Sequence, residues 1–325
     1  MKAAVLEKLG EVPKFKDFEE PKAEGENEII LNVKAAAVKN LDKARASGEH
    51  YDSYSDLPTV VGMDGVGTTE DGSRVYATGI TGMIAEKAVV DKNKLTPIPD
   101  DLDFDTAAAL PNAVLGGVMP IKVRGKLEKG QNVLIIGATG FTGNIAVQVA
   151  KHYGAKTIVA AGRAKDNLED TKNLGADITV NSDQDDEGFI KDLQKVYEDH
   201  PIDLIIDYLW GKPMELVLKS LKGGGLGKST KKVRIVSVGS LAGETISLPS
   251  GTLRSTDIEI IGSGFGSLSP DDLDYFGQTI VPEMYELAAK GTLHIDTQVE
   301  AIEDIESLWN KKIESGKRLV ISLEK

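Results

Sequence analysis

A glycine-studded turn between an apolar run and a helical pattern constrains this chain more than any other stretch. Val133-Leu134-Ile135-Ile136 has the composition of a short buried strand. Gly137-Ala138-Thr139-Gly140-Phe141-Thr142-Gly143 follows at once, and beyond it Ile145, Val149 and His152 or Tyr153 recur at spacings of three and four. Within the turn lies Ala138-x-Gly140-x-x-Gly143. Gly140 leaves no side chain between the backbone and a pyrophosphate, and Gly143 lets the helix lie close on the strand. The first-turn N–H groups, at the positive end of the helix dipole, then face the phosphates. Ala138 stands where such motifs have their first glycine. Taken alone, the stretch fits either a dinucleotide-binding turn or a tight strand-to-helix turn of any α/β domain.

The next elements favour the dinucleotide. Lys156-Thr157-Ile158-Val159-Ala160-Ala161 reads as the second strand and ends at Gly162-Arg163. Arg163 falls twenty residues after Gly143, where such folds place the residue that reads the ribose. An acid there would accept hydrogen bonds from the 2′-hydroxyl of NAD. Arg163 and Lys165 offer cations instead, which suits the 2′-phosphate of NADP. The plain alternative for Arg163 is a solvated surface charge.

From Gln131 the pattern alternates strand and helix. Helices are expected at about Gly140–Tyr153, Asp166–Leu174 and Ile190–Tyr197. Strands are expected at Gly175–Val180, Asp203–Asp207, Val233–Val238 and Glu259–Ile261. Six strands so connected make a doubly wound parallel sheet. The first hundred residues read instead as strands and turns: Lys2–Leu6, Glu28–Val38, Val60–Gly67, Gly72–Ala77 and Ala85–Val90. A helical stretch opens at Asp103 and runs, with interruptions, through Val123. After the sheet, Pro270–Ala289 reads as one long helix. Leu293–Ala301 and Arg318–Leu323 read as strands flanking a helix over Ile302–Glu314. These last elements are expected to return to the first domain, leaving a cleft between the two.

Composition narrows the chemistry. The 325 residues suggest about two domains, and 41% hydrophobic with 27% charged residues suits a globular chain with a real core. The net charge of −13, from 51 acids against 38 bases, disfavours nucleic acid and anionic membranes as partners. There are no cysteines, so disulfides, thiolate zinc sites and cysteine nucleophiles are excluded. The N-terminus lacks the apolar core of a signal peptide, and no segment reads as a membrane span, so a cytoplasmic location is expected. His50, His152, His200 and His294 show no ligand spacing and read as surface or packing residues. Lys222-Gly223-Gly224-Gly225-Leu226-Gly227-Lys228-Ser229 mimics a nucleotide-triphosphate loop. It has Lys222 where that motif needs its first glycine and no apolar strand before it, so it reads as a loop.

In this order and spacing, further motifs mark a resemblance. They are Met1-Lys2-Ala3-Ala4-Val5, Leu57-Pro58-x-x-x-Gly62-x-Asp64-Gly65-x-Gly67, Gly72-x-Arg74-Val75, Ala107-Ala108-Ala109-Leu110-Pro111, Leu174-Gly175-Ala176-Asp177 and Ser315-Gly316-Lys317. With the glycine turn, they resemble the medium-chain dehydrogenase/reductase superfamily, in its zinc-free quinone oxidoreductase (zeta-crystallin-like) branch, over essentially the whole chain. The resemblance implies an α/β chain: a GroES-like β-barrel catalytic domain over 1–118 and 264–325, and a Rossmann NADP-binding domain over 119–263. Zinc-dependent members carry a Cys-His pair followed by Asp where this chain has Val38-Lys39-Asn40-Leu41-Asp42. They have a histidine followed by an acid where it has Met63-Asp64, and their third ligand falls near Ala113. A catalytic zinc is therefore not expected, Asp64 being the one residue of these that could ligate it.

Without a Lewis acid, an acceptor that delocalises charge itself is the better hydride acceptor. The expected activity is NADPH-dependent reduction of a quinone or other conjugated carbonyl. A reductase of 2-enoyl thioesters or 2-alkenals is an alternative, and a nucleotide-binding redox sensor or structural protein with little turnover is another. The matching positions give catalytic candidates Lys39, Asn40, Tyr51 and Tyr54. Lys39 either polarises a carbonyl oxygen or is a structural surface lysine. Asp42 beside it either joins the site or holds a loop together. The two tyrosines, in the loop after Gly48, either donate a phenolic hydrogen bond or pack. Cofactor-binding candidates are Asn112, Ala138, Thr139, Gly140, Phe141, Thr142, Gly143, Gly162, Arg163, Lys165, Leu209, Val238, Gly239, Ser240 and Phe265. The small-molecule acceptor is the expected partner. Assembly is left open, a homodimer among the options.

Overall fold

A computed structural model describes residues 1–163, 165–221 and 230–324, with the side chain of Lys165 also outside that set. The glycine-rich segment 222–229 thus lies outside the described residues. The chain divides into two compact units, one formed by Met1–Asn112 with Tyr275–Lys325 and the other by Ala113–Asp274.

The first unit is built on β1 (Lys2–Leu6), β2 (Lys14–Asp17), β3 (Glu28–Ala37), helix α1 (Asn40–Ser47), β4 (Thr59–Val60), β5 (Asp64–Thr68), β6 (Arg74–Thr78), β7 (Lys87–Asp91) and β8 (Thr96–Pro97). β2, β1 and β4 form a three-stranded antiparallel sheet. The stretch read as one strand over Val60–Gly67 is two, because the chain turns at Gly62, whose φ is +101°. A Cβ there would meet the Ile84 backbone nitrogen at 2.9 Å. The backbone instead docks on the neighbouring loop, Met83 and Ile84 donating to the carbonyls of Gly62 and Val61. β2 was not legible because Lys14-Phe15-Lys16-Asp17 alternates around a single apolar residue.

Helix α2 (Phe104–Met119) follows and continues as a π turn over Pro120–Arg124, closed by Gly125 N–H donating to the Pro120 carbonyl at 2.7 Å. Together Phe104–Arg124 is long and apolar enough to cross a membrane, contrary to the sequence reading, but 67% of its most apolar window is buried within the chain. Pro111 sits inside α2 and cannot donate to the carbonyl of Ala107. The hydroxyl of the fully buried Tyr285 donates to that carbonyl at 3.0 Å and satisfies it.

The second unit holds β9 (Asn132–Ile136), α3 (Phe141–His152), β10 (Thr157–Gly162), α4 (Lys165–Leu174), β11 (Ile178–Asn181), α5 (Asp186–Asp199), β12 (Leu204–Asp207), α6 (Gly211–Ser220), β13 (Val233–Ser237), α7 (Ser250–Ser255) and β14 (Ile258–Gly262). The six strands are parallel in the order β11-β10-β9-β12-β13-β14. In order of appearance that is 3-2-1-4-5-6, a doubly wound sheet whose strand order reverses between β9 and β12. Leu134, Ile136, Val159, Ile205 and Ile235 face Phe189, Leu193, Met214 and Val217 in its core. Helix α6 has no counterpart among the expected elements; it opens on Gly211 and carries Pro213, both poor helix formers. Pro213 lies in the first turn, where its missing N–H has no intrahelical partner to lose.

The tail starts as α8 (Pro270–Tyr275), a π turn over Phe276–Ile280 and α9 (Val281–Ala289), the irregular turn falling just before Pro282. β15 (Thr297–Ala301) and β16 (Arg318–Ser322) pair in parallel, and β16 pairs with β3. They complete a seven-stranded sheet, β15-β16-β3-β5-β6-β8 with β7 also on β3, so the tail does return to the first unit. The helix expected over Ile302–Glu314 shrinks to a 3₁₀ turn and α10 (Ile305–Leu308). Ile302, Ile305, Leu308 and Trp309 are buried in the unit's core, whereas Asn310, Lys311 and Lys312 are not and give a longer helix no face to bury.

Candidate functional site

In the second unit, the C-terminal ends of β9 and β12 flank the point where strand order reverses, the place where open α/β sheets bind ligands. Gly137 turns the chain out of β9 with φ +85°. A Cβ on Gly143 would lie 2.3 Å from the Gly137 carbonyl oxygen and 2.7 Å from the Ala138 Cα, so α3 can sit on the turn only with glycine there. Gly140 is different. Its backbone is extended, with φ −78° and ψ 162°, and a Cβ would make only an ordinary 3.5 Å contact. Among the described residues of the unit, nothing requires glycine at 140. It is also the N-cap of α3 and has no side chain to cap the first-turn N–H groups. The missing side chain therefore leaves an open cradle at a helix start, which fits a pyrophosphate.

The other expected residues of this unit lie in or after the turns that leave its strands. Ala138 and Gly143 are buried, and Thr139, Phe141 and Thr142 are half-buried. Gly162 closes β10 against Thr139, whose Cγ2 would lie 2.7 Å from an added Cβ. Arg163 follows the strand end directly and is exposed. Leu209, Val238, Gly239 and Ser240 follow the ends of β12 and β13 and are half-buried, and Gly239 allows close approach to the Tyr208 carbonyl. The Ser240 hydroxyl donates to Glu244 at 2.5 Å. Phe265 opens a short 3₁₀ turn and is 39% exposed.

Asp207, which the sequence offered only as a strand residue, lies at this same edge and is fully buried. Burial pushes its carboxyl up to about 6, although the Leu209 and Trp210 N–H groups that it accepts pull the other way. Those N–H groups lie 2.9 and 3.1 Å from its oxygens. They hold Trp210 at φ +54°, a conformation that side-chain-bearing residues rarely adopt. The signal was present as an acid ending an apolar strand, Leu204-Ile205-Ile206-Asp207.

In the first unit, Lys39 is the N-cap of α1 and only 1% exposed. Its ammonium donates to the Ala37 carbonyl at 3.0 Å and to Asp64 Oδ1, and it lies 3.2 Å from Asp42 Oδ2. Three oxygens thus engage its three donors. Burial drags the ammonium's pKa down, but Asp42 and Asp64 outweigh that and hold it above the ordinary lysine value. Asp42, fully buried, also accepts the backbone N–H groups of Lys39 at 2.9 Å and Met63 at 3.0 Å. It belongs to the first turn of a helix, not to the loop expected from the sequence. Asp64 Oδ2 accepts the Tyr76 hydroxyl at 3.0 Å.

The remaining candidates are spread out. Asn40 is exposed, and Tyr51 is 88% exposed with its ring 4.1 Å from that of His50. Tyr54 is half-buried beneath the Arg45 guanidinium, 4.6 Å from the ring centroid, and its hydroxyl oxygen accepts the Gly62 N–H at 3.2 Å. Burial, then the Asp42 charge, raises the Tyr54 phenol above its usual pKa. A cavity of about 720 Å³ opens beside it, lined among others by Tyr54, Arg45, Met63, Phe18 and Ile80. Asn112 Oδ1 lies 3.5 Å from an Arg318 guanidinium nitrogen.

A parallel sheet in dinucleotide-binding order and a largely antiparallel unit formed from both chain ends have counterparts among known oxidoreductases. The Zinc-binding dehydrogenase family matches residues 142–281. A quinone oxidoreductase-like protein 2 of Mus musculus is 25% identical over 299 residues, covering 87% of this chain and 82% of that protein. An alcohol dehydrogenase of Geobacillus stearothermophilus is 28% identical over 352 aligned positions, 96% of each chain. The solved quinone oxidoreductase of Thermus thermophilus, also solved with NADPH, superposes with a TM-score of 0.75 at 25% identity, covering 99% of this chain and 100% of that one. The chain belongs to the medium-chain dehydrogenase/reductase superfamily.

The family's name raises the question of zinc. The donors at the matching positions do not fit it: a lysine whose ammonium is engaged by protein oxygens, a methionine at 63 and an alanine at 113. Among the described residues, no group of three or more His, Cys, Asp or Glu side chains could hold a metal.

Proposed function

We propose that this oxidoreductase is an NADPH-dependent reductase of quinones or other double bonds conjugated to a carbonyl, working without a catalytic metal. The observation that carries the reading is the Gly140 cradle, where a glycine stands although no described residue of the unit requires one. NADPH, when bound, supplies the hydride. The backbone from Ala138 to Gly143 would hold its pyrophosphate, and Arg163 would grip the 2′-phosphate by two charge-assisted hydrogen bonds. Leu209, Val238, Gly239 and Ser240, at the ends of β12 and β13, would border the nicotinamide.

The first unit supports a conjugated acceptor. Reducing an isolated carbonyl concentrates charge on one oxygen, which a Lewis acid would stabilise. The matching positions hold no zinc donor set, so hydrogen bonds must suffice. Tyr54 suits that task. Its oxygen accepts the Gly62 N–H, which leaves its own proton unused in that bond, and its raised pKa keeps that proton on the phenol. The cavity beside it is of a size for a small planar acceptor. The likeness to quinone oxidoreductases points the same way.

The test is a panel of quinones, enones, enals and enoyl thioesters, with NADPH oxidation followed for each. Steady turnover with one or more of these supports the reading. NADPH binding with no turnover on any of them would favour a redox sensor or structural protein instead.

A further inference from the structure

Around the buried lysine of the first unit, three oxygens from separate elements meet. Ala37 O, Asp42 Oδ2 and Asp64 Oδ1 converge on one point, and the Lys39 ammonium occupies it. The outer oxygens of both carboxylates are tied back, Asp42 Oδ1 by the Met63 N–H and Asp64 Oδ2 by the Tyr76 hydroxyl. The inner oxygens are thus aimed by the fold. Two buried carboxylates sharing one point need a cation, because an unpaired buried charge is strongly destabilising. An all-oxygen set of this kind suits a hard divalent ion, not zinc with its preference for nitrogen and sulfur. Here the cation arrives on a side chain.

We infer that the Lys39 ammonium is the resident cation of an oxygen cage formed by Ala37, Asp42 and Asp64, and that its tether shuts divalent ions out of a site otherwise built to take one. Lys39 is then a positioning residue. It fixes Asp42 at the start of α1 and Asp64 against Tyr76, and its third donor goes to the Ala37 carbonyl. Truncating the side chain vacates the point without disturbing the groups that aim the oxygens.

The experiment compares the full chain with Lys39→Ala, Lys39→Met and the double variant Lys39→Ala/Asp64→Asn. Thermal unfolding is followed with and without Mn²⁺, and bound Mn²⁺ is counted by its paramagnetic signal. Lys39→Ala should melt below the parent and recover at least half of the lost Tm with millimolar Mn²⁺, binding one ion per chain. The parent should neither shift nor bind. Lys39→Met, which fills the point with an uncharged stem, and the double variant should be destabilised without recovery. If Lys39→Ala does not fold alone, it is refolded from denaturant with Mn²⁺ or with chelator, and recovery in the Mn²⁺ arm only is the supporting result. No Mn²⁺ response in Lys39→Ala, recovery in neither refolding arm, or one Mn²⁺ bound to the parent overturns the inference. None of these outcomes depends on turnover, so a chain that failed every acceptor would leave this test intact.

Discussion

Replacing Asp207 by asparagine should remove a contribution to stability that falls as pH rises, and the sign and size follow from burial. In the folded chain the Asp207 carboxyl is pushed from 3.8 up to about 6. A folded-state pKa above the unfolded one means that this group favours folding when protonated. The contribution is complete below about pH 4 and is lost as pH rises through 6. The shift of about two pH units corresponds to about 3 kcal/mol above pH 7, and to about 1 kcal/mol at pH 4.5. The asparagine amide keeps one oxygen for the Leu209 and Trp210 N–H groups but has no charge to desolvate. The assay is thermal unfolding of both proteins in matched buffers from pH 4.5 to 7.5, so that every other titrating group cancels in the difference. Tm of Asp207→Asn minus Tm of the parent should climb with pH. The roughly 2 kcal/mol change across that range amounts to about 3 °C for a chain of this length. Any fixed cost of the amide moves the whole curve and not its slope. A flat difference, or one that falls with pH, would refute the claim that the carboxylate is buried against its charge.

Two further outcomes are expected. Arg163→Ala should weaken NADPH binding about tenfold to a hundredfold, as suits the loss of about 1.5–3 kcal/mol from hydrogen bonds to a charged group, while NADH binding stays nearly unchanged. Titration calorimetry with both cofactors reads this, and equal losses would make Arg163 structural. Tyr285→Phe should cost about 1–3 kcal/mol, because it leaves the Ala107 carbonyl buried without the donor that Pro111 cannot supply. Pro111→Ala restores a backbone donor, so denaturant unfolding of the double variant should show the Tyr285→Phe loss largely removed. An unchanged loss would mean that the hydroxyl matters for another reason.

The parallel sheet was legible because its strands are apolar runs and its turns carry glycine at functional spacings. The first unit was less so. Its strands are short, and Gly62 turns the chain where the apolar pattern runs on. Helix α1 begins at a lysine N-cap that no capping rule would select, because its start is fixed by Asp42 and by a carboxylate 25 positions away in sequence, Asp64. Lys39 itself stood out by its place in a motif, but its three oxygen partners come from β3, α1 and β5 and cannot be read along the chain. Asp207 is hidden in the sequence for a similar reason. A strand-end aspartate looks ordinary until the turn at Trp210 and the neighbouring strand close over it.

Reduction of conjugated acceptors without a metal comes down to one ratio. It is kcat/KM for a cyclic enone over that for its saturated ketone, with NADPH and a chelator present. The enone should lead by at least about tenfold, the equivalent of about 1.4 kcal/mol of transition-state stabilisation, with the saturated ketone recovered as product. A saturated ketone reduced as fast as the enone, or enone activity abolished by the chelator, would contradict it.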